Sequence, residues 1–86
     1  MINKRFKTSP LFSTPELSLA AALVAWEFPL NSLDRTNPTK IVFQFFKNPK
    51  LEAAVQAFWD NTDTVYPKIY FNALREVKSR IYGGQE

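Results

Sequence analysis

Lys68, Asn72, Arg75 and Ser79 recur at i, i+4, i+7 and i+11 late in the chain, and Lys78 and Tyr82 extend the same side through Arg75. On a helix that spacing places them on one face. Cations, an amide and an aromatic ring on one face are the chemistry of nucleic-acid contact: Lys and Arg displace counterions from phosphates, Asn reaches a base edge, and Tyr82 stacks. The plainer reading is a solvated helix surface, with Glu76 and Arg80 as an i, i+4 pair worth about 0.3 kcal/mol. A second basic group, Arg35 and Lys40, flanks a turn at Thr36-Asn37-Pro38-Thr39, with Lys47 and Lys50 further on. A loop tip carrying two cations can grip a phosphate backbone. It is also where solvated charge ordinarily sits.

Composition removes most other chemistry. The 86 residues include no His and no Cys, and the two glycines are Gly83 and Gly84. A Ser-His-Asp triad, a thiol nucleophile, a CxxC pair, a zinc finger and an HExxH site all need His or Cys. A Walker A loop and a dinucleotide fingerprint need internal glycines. Asp60-Asn61-Thr62-Asp63-Thr64 brings oxygen ligands together but lacks the Gly and the bidentate Glu of a calcium loop, so it reads as a turn. Glu16, Glu27, Asp34, Glu52 and Glu76 form no pair on a common face for acid-base or two-metal work. No enzyme activity, cofactor, metal or small-molecule substrate is expected.

The net charge of +3 is distributed in alternating blocks. Lys4, Arg5 and Lys7 open the chain, Glu16, Glu27 and Asp34 follow, then Arg35, Lys40, Lys47 and Lys50, then Glu52, Asp60 and Asp63, before a basic end. Such blocks make one patch only if the fold gathers them. No long apolar run directly follows the first cations, as a secretory signal would require. The most apolar stretch, Leu17 to Trp26, is half of the roughly 20 residues a membrane span needs. A soluble, cytoplasmic protein without membrane contact is expected, and the absence of Cys fits a reducing compartment.

A chain of this length buries only about 60 to 65% of its unfolded surface, which suits one domain. A basic arm is expected over residues 1–12, a compact domain over 13–82 and a tail over 83–86. Ser13-Thr14-Pro15-Glu16 reads as a helix start, with a hydroxyl at the N-cap and Pro at N1. The helix runs to Trp26 and is apolar on nearly every side, so it should be buried on more than one. Phe28-Pro29 ends it. Leu30 to Arg35 and Lys40 to Phe46 read as strands joined by a loop of about four to six residues. In the second strand Ile41, Phe43 and Phe45 share one face, and Val42, Gln44 and Phe46 the other. Its aromatics bear a superficial likeness to an RNA-recognition strand, but that fold needs four strands and a Gly absent here, so Phe43 and Phe45 are core residues. Asn48-Pro49 opens a second helix to Asp60, with Leu51, Ala54, Val55, Phe58 and Trp59 on its apolar face. A third helix, capped by Thr64, spans Pro67 to Tyr82 with Tyr70, Leu74, Val77 and Ile81 inward and Phe71 at the stripe's edge. The fold class is α+β: one small domain in the order α-β-β-α-α, a β-hairpin packed against three helices, with an extra short strand near Leu11 to Ser13.

Leu17-Ser18-Leu19-Ala20-Ala21-Ala22-Leu23, Phe28 with Leu30, Asp34-Arg35, Phe43-Gln44-Phe45, Phe58-Trp59 and Tyr70-Phe71-Asn72-Ala73-Leu74-Arg75, with Lys78 and Ile81-Tyr82, together resemble the DUF5659 domain family. The resemblance covers Ser13 to Tyr82 and implies a compact domain from a bacterial or phage, mobile-element setting. It implies no activity and no catalytic or binding residue. Members often carry Gly before the Phe, where this chain has Glu27.

Two functions from different classes are consistent with these residues. One is a non-enzymatic nucleic-acid-associated accessory or regulatory protein, with Lys68, Asn72, Arg75, Lys78, Tyr82, Arg35 and Lys40 on the nucleic acid and the Lys4, Arg5, Lys7 arm adding reach. The other is an interaction or structural module that binds a partner protein or self-associates into a homo-oligomer, through the Lys40 to Phe46 strand or the alanine-rich first helix. Phe46, Trp26 and Trp59 are its candidate interface residues, and where they and Tyr82 sit separates a binding surface from a shared core.

Overall fold

The computed structural model describes residues 10–83. Elements follow in the order β1 (Leu11–Thr14), α1 (Leu17–Ala25), β2 (Ser32–Asp34), β3 (Val42–Phe46), α2 (Pro49–Asp60) and α3 (Pro67–Gly83). The three strands form one antiparallel sheet in the order β1-β3-β2. The α+β class and the α-β-β-α-α succession are as expected, with β1 supplying the extra short strand. The compact unit begins earlier than residue 13, because Leu11 and Phe12 pair with Phe46 and Phe45. The basic arm residues Lys4, Arg5 and Lys7 lie outside the described residues.

β3 is the centre of the sheet, and its period-two pattern sets the inside of the protein. Phe43 and Phe45 are buried, while Phe46 is 62% exposed. Phe12 and Thr14 on β1 and Leu33 on β2 pair with these two core residues and share their face. The opposite face carries Leu11 and Phe46 as one cross-strand pair and Ser13, Gln44 and Ser32 as a polar row. The Ser32 hydroxyl donates to Gln44 Oε1 at 2.8 Å. Both backbone edges of β3 are paired within the chain, so self-association by adding a strand to β3 is corrected: β1 occupies the edge a second copy would have used.

The helices cover the Phe43/Phe45 face. α1 packs against α3, α2 and β1. Leu19, Ala20, Ala21, Ala22 and Leu23 are all buried, as an all-round apolar helix requires. That corrects the second expected route to self-association, because the alanines of α1 are consumed inside this chain. Leu51 of α2 and Val77 of α3 complete the core with Phe45, Leu19 and Leu23, each such side chain contributing about 1.5 to 3 kcal/mol by burial.

Helix ends show how the chain manages without internal glycine. α2 starts as expected: Asn48 Oδ1 accepts the Leu51 N–H at 2.8 Å and Pro49 occupies the first turn. α1 starts later than expected, at Leu17. Thr14 is held in β1 opposite Phe43, so its hydroxyl accepts the Glu16 N–H at 3.1 Å as a turn instead of capping the helix. α1 ends when the Glu27 N–H reaches Val24 O and the Phe28 N–H reaches Leu23 O, both at 2.9 Å, with Glu27 at φ 73°. This is a Schellman termination with Glu where Gly is normally favoured. α2 ends likewise: Asn61 sits at φ 59°, with its N–H on Phe58 O and that of Thr62 on Ala57 O. Asn tolerates that region, whereas Glu incurs the full Cβ clash. Replacing Glu27 with Gly should therefore stabilise the protein by about 1 kcal/mol, after allowing for the looser unfolded chain. Thermal unfolding should rise by roughly 4 to 8 °C; an unchanged or lower midpoint would show that the Glu27 side chain makes a compensating contribution.

Candidate nucleic-acid interface

α3 has two faces. Its inward side presents Ala73 and Val77, both buried, with Tyr70, Leu74 and Ile81 partly buried beside them. Tyr70 also donates its hydroxyl to Ser18 O at 3.3 Å, fastening α3 to α1. Lys68, Asn72, Arg75, Lys78, Ser79 and Tyr82 lie on the opposite side and are all exposed. Glu76 lies on the flank, where it lines a shallow groove with Val24, Ala25, Glu27, Ile69, Asn72 and Ala73.

One residue of this surface is missed by the sequence reading. Phe71, expected at the edge of the core stripe, is 56% exposed, and the Arg75 guanidinium lies over its ring at 5.9 Å from the centroid. Its position four residues before Arg75 and three after Lys68 is the signal that places it outward. Phe71, Arg75, Lys78 and Tyr82 thus form a continuous stripe at i, i+4, i+7 and i+11, with Lys68 one turn before it. Tyr82 is 80% exposed.

Arg35 does not join this surface. Its Nη2 donates to Arg80 O at 3.0 Å and Ile81 O at 2.9 Å, two carbonyls in the last turn of α3. A helix of this kind ends in four carbonyls without intrahelical donors and a partial negative charge, so a guanidinium there satisfies both needs. Arg80 answers in the other direction, Nη1 donating to Leu30 O at 3.2 Å. The two arginines lace the strand region before β3 to the end of α3. The role anticipated for Arg35 on phosphate is corrected by this geometry: the guanidinium faces the protein. In sequence the residue looked like half of a cationic loop tip, because its acceptors lie more than forty positions away.

The other cations stay apart. Lys40 is exposed on the β2–β3 loop, lining a shallow surface with Glu16, Leu17, Pro38 and Phe43. That loop is ordered by short side chains: Asp34 Oδ1 accepts the Thr36 N–H at 2.9 Å, and Asn37 Oδ1 accepts from both the N–H and the hydroxyl of Thr39. Hydrogen bonds from the Thr36 side chain and backbone hold the Asp34 carboxyl below its ordinary value. Lys47 donates its backbone N–H to Pro10 O, and Lys50 borders a groove with Trp26, Phe28, Ala53 and Asp63. Among the described residues the cations therefore meet different parts of the fold, and only α3 presents several of them on one element.

Of the interface candidates, Trp26 is bound within the chain. Its Nε1 donates to Thr64 O at 3.0 Å, and the ring packs against the core. Thr64, expected as the cap of α3, contributes instead through this carbonyl, and its own N–H is accepted by Asp63 Oδ1. Trp59 is 58% exposed and meets Phe58 edge-on at 5.0 Å between centroids. Phe46 is exposed at the end of β3. Among the described residues, no group of three His, Cys, Asp or Glu side chains could hold a metal ion, and no helix is long and apolar enough to cross a membrane.

The family model for a domain of unknown function, DUF5659, matches residues 9–83. The chain belongs to the DUF5659 family. The match takes in all six elements, from β1 to α3. No curated protein matches the chain, and no solved structure does. In this DUF5659 domain, Glu27 occupies the left-handed position before Phe28, the place in a helix ending where Gly is ordinarily favoured.

The Arg35 contact separates structure from binding at the loop. Arg35→Ala should lower stability by about 2 kcal/mol, as expected for two hydrogen bonds from a charged donor, while Lys40→Ala should change it by less than about 0.5 kcal/mol. Urea denaturation followed by circular dichroism measures both. Equal, small effects would remove Arg35 from the architecture.

Proposed function

We propose that this DUF5659 domain is a non-enzymatic nucleic-acid-associated protein, an accessory or regulatory factor of the mobile-element kind, that contacts phosphates through the outer face of α3. The observation that carries the reading is the stripe itself. Lys68, Arg75 and Lys78 are exposed on one helix face with Phe71 and Tyr82 among them, and the acidic neighbour Glu76 is turned to the flank. An ordinary solvated helix mixes both signs of charge and few large rings on its outer side. Asn72, beside Arg75 on this face, adds an amide that can pair with a base edge.

A second reading rests on a different surface. The outer face of the sheet carries the Leu11–Phe46 pair, and Phe46 is 62% exposed. A module that docks a partner protein or a second copy would use this apolar spot, face to face. In that case light scattering would show a dimer or a complex that Phe46→Ser dissolves.

Fluorescence anisotropy with labelled DNA and RNA oligonucleotides at low salt tests the first reading, because counterion-driven binding is strongest there. Three phosphate contacts predict a log-log salt slope of about −2 to −2.7. The double variant Arg75→Ala, Lys78→Ala should weaken binding on the order of tenfold and flatten that slope by roughly 1.5, with thermal stability nearly unchanged. Absence of binding to any oligonucleotide at low salt would sink the proposal.

A further inference from the structure

Resting on that reading, we infer that the α3 face takes single-stranded nucleic acid in preference to duplex, stacking unpaired bases on Phe71 and Tyr82. The argument comes from what the two rings can touch. Phe71 and Tyr82 are 56% and 80% exposed on the same face as the three cations. They stand eleven positions apart, so along a helix rising 1.5 Å per residue they are separated by about 16 Å. Arg75 and Lys78 lie between them and Lys68 just before them, so cations and rings are interleaved along one line. In a duplex the base faces are closed by stacking, and a protein meets phosphates, sugars and base edges. Rings set among the cations would then face sugar and phosphate, where their π faces have no partner. An unpaired strand offers both a charged backbone and open base faces, and it is bound by cationic tracks studded with aromatic rings.

The Arg75 guanidinium over Phe71 strengthens the point. The guanidinium, 5.9 Å from the ring centroid, lies over one face of Phe71, so a base stacked on the other face would have a cation beside it for its phosphate. Such a platform is tolerant of sequence, because every base has a π face. The inferred ligand is therefore an unpaired stretch of several nucleotides, bound without a strict sequence requirement.

Anisotropy of the full chain with a labelled single-stranded 12-mer, and with the same oligomer annealed to its complement, decides the matter. Single strand should bind at least about tenfold tighter than duplex at equal salt. Phe71→Leu and Tyr82→Leu should each lose about 5- to 100-fold on the single strand, the range that one stacked base supplies, while leaving the salt slope intact. Circular dichroism melting checks that the variants fold, which their exposure favours. Duplex bound as tightly as single strand, or aromatic variants that bind as well as the parent, would overturn this inference while leaving the phosphate-contact reading in place. No binding to either form at low salt would overturn both.

Discussion

A helix that is apolar on nearly every side has to be enclosed, and α1 imposes that requirement on the whole chain. Its leucines and alanines cannot be covered by a single partner, so the Phe43/Phe45 face of the sheet, α2 and α3 each take part of its circumference. The sheet, α2 and α3 then keep one side toward the core built around it and one side toward water. This division explains why β3 alternates so cleanly and why the outer side of α3 holds no core residue. It also explains the small satellite contacts. Tyr70 on Ser18 O and Trp26 on Thr64 O are polar ends of large side chains pinned at the margins of the same enclosure.

How much of this was legible depended on the range of the interaction involved. Asn48-Pro49 announces α2 because the cap and its acceptor lie within one turn, and the alternation of Phe43, Gln44 and Phe45 announces β3 for the same reason. Thr14 shows where local logic is overruled. Its neighbours Pro15 and Glu16 make a good helix start, yet pairing with Phe43 across the sheet keeps Thr14 extended, and the helix waits until Leu17. Arg35 and Trp26 show a stronger form of the same effect: the carbonyls they bond, at Ile81 and Thr64, lie far away in the chain, and no local pattern reveals them. Phe71 lies on the boundary between two helical stripes: its spacing from Lys68 and Arg75 points outward, and the packing of α3 against α1 leaves it exposed.

The charge pattern illustrates the same limit at the level of surfaces. Blocks of cations along the chain make one patch only if the fold gathers them, and among the described residues Lys40 and Lys50 border different grooves and Arg35 is turned inward. What persists is the portion carried by a single element. A helix keeps its residues in register whatever the rest of the fold does, so a face read at i, i+4, i+7 and i+11 survives the transition from sequence to structure better than a patch assembled from loops. The proposed binding surface is thus the most local of the candidates. It is also the one least dependent on long-range packing.

The arginine lacing at the end of α3 has a bearing on ligands as well as on folding. Terminal helical turns ordinarily fray, and a partner that docks on a frayed turn must first meet the entropic cost of ordering it. Here the turn that carries Tyr82 is held by Arg35 on the carbonyls of Arg80 and Ile81, and by Arg80 on Leu30. The outermost part of the stripe is consequently preorganised before anything arrives. A cation that looked, along the sequence, like one more contact for a phosphate instead keeps rigid the helix end from which such contacts would be made.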